Sequence, residues 1–299
     1  MPELPEVHAL AVDLGERLGG RVVRRFDVLA FPALKTFAIG ADELKGREIT
    51  RVDRHGKFLD LTFAASADSA DPRDVHLVIH LARAGWVRWL ESEPKTAARR
   101  GAAARNPLAA RLMLEPDGAG LDITEAGSKK SLQLHLVHDA SEVERVTTLG
   151  PEPLEAGFTR DRFADILHAA GRAQIKGVLR DQATIAGIGN AYSDEILWAA
   201  KMSPFKPAAM GDDEITRLYD AMQATLRGAI ARSEGLRASE LKAEKHEGLQ
   251  VHARAGQACP RCGDTIRQVI FSDTSLQYCS TCQTGGKVLA DRVLSRLLK

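Results

Sequence analysis

All four cysteines of the 299-residue chain fall between Cys259 and Cys282, as the pairs Cys259-Pro260-Arg261-Cys262 and Cys279-Ser280-Thr281-Cys282 with 16 residues between them. Two C-x-x-C knuckles at that separation converge on one tetrahedral zinc ion, so this stretch is committed to a small metal-bound module. Four sulfur ligands leave no open coordination position, which makes one structural Zn2+ per chain the expectation over a catalytic metal or a redox dithiol. Residues 265–270 and 276–278 can pair as a hairpin between the knuckles, with 272–275 at its tip. A tip held rigid by metal suits contact with a phosphate backbone, and equally with a protein partner. No cysteine is left for a scattered disulfide framework, which agrees with a reducing compartment.

An apolar content of 44% is enough to give each of two ordinary domains a core. The net charge of +1 is mild, so nucleic-acid binding would have to come from local clusters of Lys and Arg. Lys95, Arg99, Arg100, Arg105 and Arg111 form one such cluster with no acid between them, readable as a solvated loop or as phosphate contacts. No stretch approaches the roughly 20 apolar residues of a membrane span, and no signal segment leads the chain, so the expected location is cytoplasmic.

Val7, Leu10, Leu14 and Leu18 recur at helical spacing after Pro5, which fits the first helical position, until Gly19-Gly20. The period then changes. Residues 22–26, 57–63, 75–81 and 86–90 read as short strands, and Asp117-Gly118 joins 112–114 to 121–123 as a hairpin. Residues 1–138 are therefore expected to form a β-rich sandwich or barrel with one leading helix. Gly150-Pro151 and Pro153 mark a linker over 139–154. Helical patterns follow at Phe163, Ile166, Leu167 and Ala170, at Ile196, Leu197 and Ala200, and at Ile215, Leu218, Met222 and Leu226. The helical domain spans 155–256, the metal module 257–283 and a basic amphipathic tail 284–299. The fold class is α+β.

Two stretches point to chemistry. Met1-Pro2-Glu3-Leu4-Pro5-Glu6-Val7 places a proline where removal of the initiator methionine would make it the N-terminus. A terminal proline is a secondary amine whose pKa, near the α-amino value of about 8, leaves a useful uncharged fraction to attack a sugar carbon. Glu3 sits beside it as an acid or base. A purely structural role for Pro2 and Pro5 as helix starters is compatible with the same residues. Farther on, Gly187-Ile188-Gly189-Asn190 precedes the helix of Ile196 and Leu197, and the N–H groups of that start with the Asn190 amide make an anion site suited to one DNA phosphate.

Met1 to Val7, Arg54-His55-Gly56-Lys57-Phe58-Leu59, Leu149-Gly150-Pro151-Glu152-Pro153-Leu154, Asp181 to Leu197 and the four cysteines occur in one order. That order resembles the formamidopyrimidine-DNA glycosylase / endonuclease VIII family over nearly the whole chain, and Leu4 and Val7 are similar to its formamidopyrimidine branch. The resemblance implies a two-layer β-sandwich joined to a helix-two-turn-helix domain with a zinc finger. It implies an enzyme acting on damaged double-stranded DNA, without a membrane and as a monomer, nucleoid-associated when bound. Such an enzyme flips a damaged base out, cleaves its glycosidic bond and cuts the strand at the abasic site. By motif position, Pro2 would form the Schiff base, Glu3 would protonate the sugar, Glu6 would support that geometry, and Lys57 would hold a phosphate and assist the lyase step. Asn190 and Lys176 would hold phosphate.

The departures fall on recognition. Near the finger tip the family carries an arginine that grips the phosphates and is credited with the second elimination; here Thr274 stands there after Asp273. Arg83 replaces the family's methionine after His80-Leu81-Ala82, and Glu125-Ala126-Gly127-Ser128-Lys129-Lys130 replaces a loop rich in arginine and phenylalanine. Arg83, Lys129 and Thr274 are thus candidate but altered DNA contacts. Residues 237–247, where the family closes a glycine-rich loop over oxidised purines, are charged and helix-prone. The expected activity is excision of oxidised or ring-opened purines with mainly β-elimination. A DNA-binding damage sensor of the same fold, and a zinc-finger interaction module using the tail Lys287 to Lys299 as its contact, are the alternatives.

Overall fold

The computed structural model describes residues 1–65, 72–94, 107–271 and 274–289. They divide into two compact units, one of Met1–Thr148 with Ser233–Lys242, the other of Leu149–Arg232 with the chain from Ala243 onward.

The first unit opens with α1 (Leu4–Leu18), whose Val7, Leu10, Leu14 and Leu18 are all fully buried. Eight strands follow: β1 (Val23–Val28), β2 (Ile49–His55), β3 (Phe58–Phe63), β4 (Val75–His80), β5 (Gly85–Leu90), β6 (Leu108–Leu114), β7 (Gly120–Glu125) and β8 (Gln133–Val137). They form two antiparallel sheets, ordered β1-β6-β7-β5 and β2-β3-β4-β8. Alternation decides the faces. Leu59, Leu61 and Phe63 of β3 and Leu77 and Ile79 of β4 join Leu112, Leu114, Leu121 and Ile123 of the other sheet and the α1 leucines in one core, which makes the unit a sandwich. Phe58, Val78 and Val137 point the other way and are covered by Ala140 and Val143, just before α2 (Glu144–Thr147).

Two clusters of charge inside this unit are paired. Asp60 in the middle of β3 faces Nδ1 of His76 at 2.8 Å and Nε2 of His55 at 3.1 Å. Arg111, read in sequence as part of a basic cluster, lies in β6 and donates two bonds to Asp122 at 2.6 and 2.9 Å. That buried fork takes it away from solvent and phosphate alike; Lys95, Arg99, Arg100 and Arg105 lie outside the described residues.

The periodicity of 155–256 assigns Ser233–Lys242 to the helical region, but the structure places it in the sandwich unit. Ala238 and Leu241 are buried in the sandwich core, with Leu236 packed against it. The Ala238 carbonyl accepts from Trp86 Nε1 at 2.9 Å, and its N–H donates to Asp13 of α1 at 3.1 Å. Three apolar contacts and a satisfied backbone outweigh the local charge pattern that sequence alone reports.

The second unit contains α3 (Arg160–Ala170), α4 (Ile175–Arg180), α5 (Asn190–Ala199), α6 (Asp212–Ser233) and α7 (Leu241–Gly248), the last two running across the divide between the units. Phe158, Phe163, Leu167, Leu179, Ile188, Ile196, Leu218, Met222 and Leu226 are members of its core. The Gly150-Pro151 turn packs tightly on the turn after α4: a Cβ on Gly150 would stand 2.5 Å from the Thr184 carbonyl carbon. The Gly150 N–H donates to Gln182 O, and the Ala186 N–H to Pro151 O. Beyond α7, β9 (Ile266–Ile270) and β10 (Ser275–Cys279) pair antiparallel and lead into α8 (Ser280–Thr284). No described helix is long and apolar enough to cross a membrane. Most of the basic tail, from residue 290 on, lies outside the described residues.

Leu241→Ala is expected to cost the sandwich about 2–5 kcal/mol, the range for emptying a fully buried leucine site. Urea unfolding followed by the β-sheet circular dichroism signal should show a lowered midpoint. An unchanged sheet transition with a shifted helical one would contradict the assignment of 233–242.

Candidate functional site

Glu3 is the N-cap of α1 in extended conformation, with φ −124° and ψ −173°. Its N–H donates to the Glu6 carboxylate at 2.8 Å, and the two residues form a reciprocal capping box. Both carboxyl groups are about 1% exposed, at the positive end of the helix macrodipole. Pro2 is buried and Met1 is exposed, so the covering residue at this end is the one whose removal would free the proline amine. Pro2, Glu3 and Glu6 are thus brought together by one helix turn, on a support far stiffer than a frayed terminus.

Lys57 follows Gly56, whose φ of +55° makes the tight β2–β3 turn, and it is only 6% exposed. Across the ladder, Phe58 pairs with His80, their rings 4.7 Å apart. Burial, then the positive charges of Arg145 and Lys57 and the neighbouring His135, push the His80 imidazole down to about 4. Its Nδ1 is buried and has no hydrogen-bond partner. This unpartnered buried nitrogen, within the field of the Lys57 charge, marks the end of β4 as a candidate ligand contact. The sequence reading missed His80; its signal was the position at the end of β4, opposite the lysine-bearing turn.

Arg83 is exposed in the β4–β5 turn, after Ala82 at φ +49°. Lys129 is exposed in the β7–β8 loop. That loop is shaped from within: the Glu125 carboxylate accepts from the N–H groups of Ser131 and Leu132 at 2.6 and 2.9 Å.

In the second unit, the turn before α5 is built by side chains. Gln182 accepts from the Gly187 N–H at 3.0 Å and donates to Ile188 O at 2.7 Å. Gly189, not Asn190, is the N-cap, because the extended backbone required there falls one residue earlier. Asn190 opens the helix and donates from Nδ2 to Ser275 O at 2.7 Å, leaving a buried Oδ1 without a partner. Lys176, expected to hold a phosphate, has its ammonium engaged within the unit. It is buried, and its ammonium donates to Asp194 at 2.6 Å, Ser193 Oγ at 2.7 Å and Asn190 O at 3.1 Å. Asp194 also meets His252 Nδ1 at 2.7 Å and the Gln277 N–H at 3.2 Å. An ammonium six-hundredths exposed or less pairs with a carboxylate in preference to remaining a bare charge.

The sulfur atoms of Cys259, Cys262, Cys279 and Cys282 lie within 4.8 Å of one another. Two of the separations are 3.4 and 4.0 Å, bracketing the ~3.8 Å edge of a tetrahedron with 2.3 Å zinc–sulfur bonds. The donor set fits a structural zinc. Burial opposes ionisation of Cys259, but the Trp198 indole N–H and the backbone N–H groups of Arg261 and Cys262 bring it down to about 6. Thr274 begins the return from the hairpin tip, its carbonyl accepting from Phe271 N–H at 2.7 Å. Its neighbour Asp273 lies outside the described residues.

Two predictions follow from these networks. Asp194→Ala strands the Lys176 ammonium in the interior and is expected to cost about 3–5 kcal/mol in thermal or urea unfolding, whereas Lys176→Met with Asp194→Leu should cost much less. For His80, the unfolded chain takes up a proton between its ordinary 6.5 and about 4 that the folded chain does not. Folding stability therefore falls as pH drops through that window, and His80→Gln removes this part of the slope while leaving other groups' contributions alike. Equal slopes for the two proteins in urea titrations would contradict it.

Comparison with known proteins places these features together. Residues 1–121 match the formamidopyrimidine-DNA glycosylase N-terminal domain, 149–240 the formamidopyrimidine-DNA glycosylase H2TH domain, and 256–285 the zinc finger found in FPG and IleRS. A formamidopyrimidine-DNA glycosylase of Chloroflexus aurantiacus is 32% identical over 293 residues, covering 95% of this chain and 98% of its own. A protein of Mycobacterium tuberculosis described as an uncharacterized formamidopyrimidine-DNA glycosylase-like protein is 55% identical over 152 residues, half of this chain and 94% of its own. Among solved structures, the complex between the Lactococcus lactis Fpg and abasic-site-containing DNA superposes with TM-score 0.78 at 25% identity, covering 94% of this chain and 99% of that one. With a capped Pro2-Glu3 terminus, a helix-two-turn-helix core and a four-cysteine finger in that order, the chain belongs to the formamidopyrimidine-DNA glycosylase family of base-excision repair.

Proposed function

We propose that this protein excises oxidised or ring-opened purines from duplex DNA and cuts the strand at the abasic site through a Schiff base on Pro2, ending mainly at β-elimination. The observation that carries this reading is the buried turn of Pro2, Glu3 and Glu6, where a secondary amine freed of Met1 would stand beside a carboxyl group. The amine attacks the sugar C1′ as the base departs, and Glu3 supplies the proton that opens the sugar ring. The resulting iminium acidifies the C2′ proton, whose loss expels the 3′ phosphate; hydrolysis then returns the free amine. Glu6 orients Glu3 through the capping box. Lys57 and His80 are assigned to the phosphate beside the lesion, and Asn190 to another. Arg83 and Lys129, exposed at turns, are assigned to contacts along the duplex. The structural zinc holds the finger hairpin that carries Thr274. The protein is assigned to the cytoplasm and to action as a monomer.

Thr274 supplies no cation where the family has arginine, and this favours the restriction to β-elimination. It also gives weight to a second reading, a DNA-binding damage sensor without turnover.

Incision of duplexes bearing an abasic site, 8-oxoguanine or a ring-opened purine separates these readings. The wild-type protein should convert the abasic strand to the β-product, and Glu3→Gln should slow base excision by about 10²–10⁴-fold, the range for a general acid, without loss of duplex binding. Thr274→Arg should add δ-product and tighten binding by about tenfold, as one charge-assisted contact does. Clean δ-product from the wild-type protein would overturn the assignment at Thr274. Salt-dependent duplex binding without incision would establish the sensor.

A further inference from the structure

We infer that Trp198 is a positioning residue for the zinc centre: its indole N–H, donated to Cys259 Sγ, orients that sulfur toward the metal and ties the finger to α5. The bond is 3.4 Å long. Trp198 packs with Cys282 against Cys259, Cys279, Val251 and Ile266, so the donor sits in the small apolar cluster that encloses the ligands.

Arg261 holds both the indole and the backbone of Trp198. The Arg261 guanidinium lies 4.0 Å from the centre of the Trp198 ring, and its Nη1 donates to the Trp198 carbonyl at 2.8 Å. Arg261 is itself inside the first knuckle, between Cys259 and Cys262. A cation over an indole face draws electron density from the ring and makes the N–H a stronger donor, so the knuckle strengthens the bond its own sulfur accepts. Metal-bound thiolates carry residual charge, and a donor aimed at one both sets its direction and lowers the cost of keeping it ionised.

The position of Trp198 on α5 adds the second half. Asn190, Asp194 and Trp198 are four residues apart and share one face of the helix. Each bonds the finger: Asn190 Nδ2 to Ser275 O, Asp194 from the Gln277 N–H, Trp198 to Cys259 Sγ. The hairpin end and the metal end of the finger are therefore held by the same helix, and only the metal end depends on the indole.

Trp198→Phe removes the N–H while keeping an aromatic ring under Arg261. In the full-length protein with cobalt(II) in place of zinc, the thiolate-to-metal charge-transfer band should move to longer wavelength, because a sulfur without its donor gives up an electron more easily. Competition with a chromophoric chelator should show zinc held about 10–100-fold more weakly. An unchanged band and unchanged affinity would overturn the inference, since loss of packing alone moves neither the band nor its direction. Should the variant misfold, the wild-type protein loaded with an NMR-active cadmium isotope decides. Scalar coupling between the Trp198 indole proton and the metal supports the bond, and its absence contradicts it.

Discussion

The reciprocal cap between Glu3 and Glu6 is the interaction on which the proposed chemistry of the first unit depends. Without it, the N–H groups of Glu3 and Glu6 at the start of α1 would lose their side-chain partners, and the residues before the helix would fray like any chain end. With it, Glu3 is fixed in extended backbone, Pro2 is buried against the helix start, and two carboxyl groups are nearly sealed from solvent at the helix's positive end. The fully buried Val7, Leu10, Leu14 and Leu18 anchor the rest of α1 in the sandwich core. Apolar burial thus supplies the stability, and the cap converts it into the aim of two side chains.

The second unit solves a different problem, which is to keep a small finger in a defined orientation. A hairpin of two five-residue strands has too little core of its own. Zinc closes one end, and α5 holds the length of it. The carboxylate of Asp194 serves three donors at once, from Lys176, His252 and Gln277, so the charge buried beneath the finger is fully used. A buried group satisfied this completely specifies one arrangement, because any slip of the hairpin leaves a charge unpaired.

Most of this was legible where a residue's role is decided locally. The C-x-x-C spacing, the leucine stripe of α1, the strands of the two inner sheet faces and the turn before α5 all write their structure in neighbouring positions. Strand β2, with charges at Arg51, Asp53 and Arg54, is not among the strands the pattern suggests, and its pairing with β3 makes it one. Helix α4 is too short for a period to show. Lys176, which the resemblance implies to hold phosphate, shows its buried pairing only once Asp194 is folded against it. Residues 237–247 read as charged and helix-prone, whereas the place of 233–242 is set by Trp86 and the sandwich core. His80 left no mark of its own because orphaned burial is a property of three dimensions.

What unites these observations is a single chemical assertion, that the proline after the initiator methionine is the nucleophile. The most direct measurement is borohydride reduction of the Met-processed protein on an abasic duplex, followed by mass-spectrometric mapping of the adduct. The account predicts one reduced sugar adduct, on the nitrogen of Pro2 in the N-terminal peptide. An adduct on Lys57, or none from protein shown to hold zinc and a free proline terminus, would contradict it.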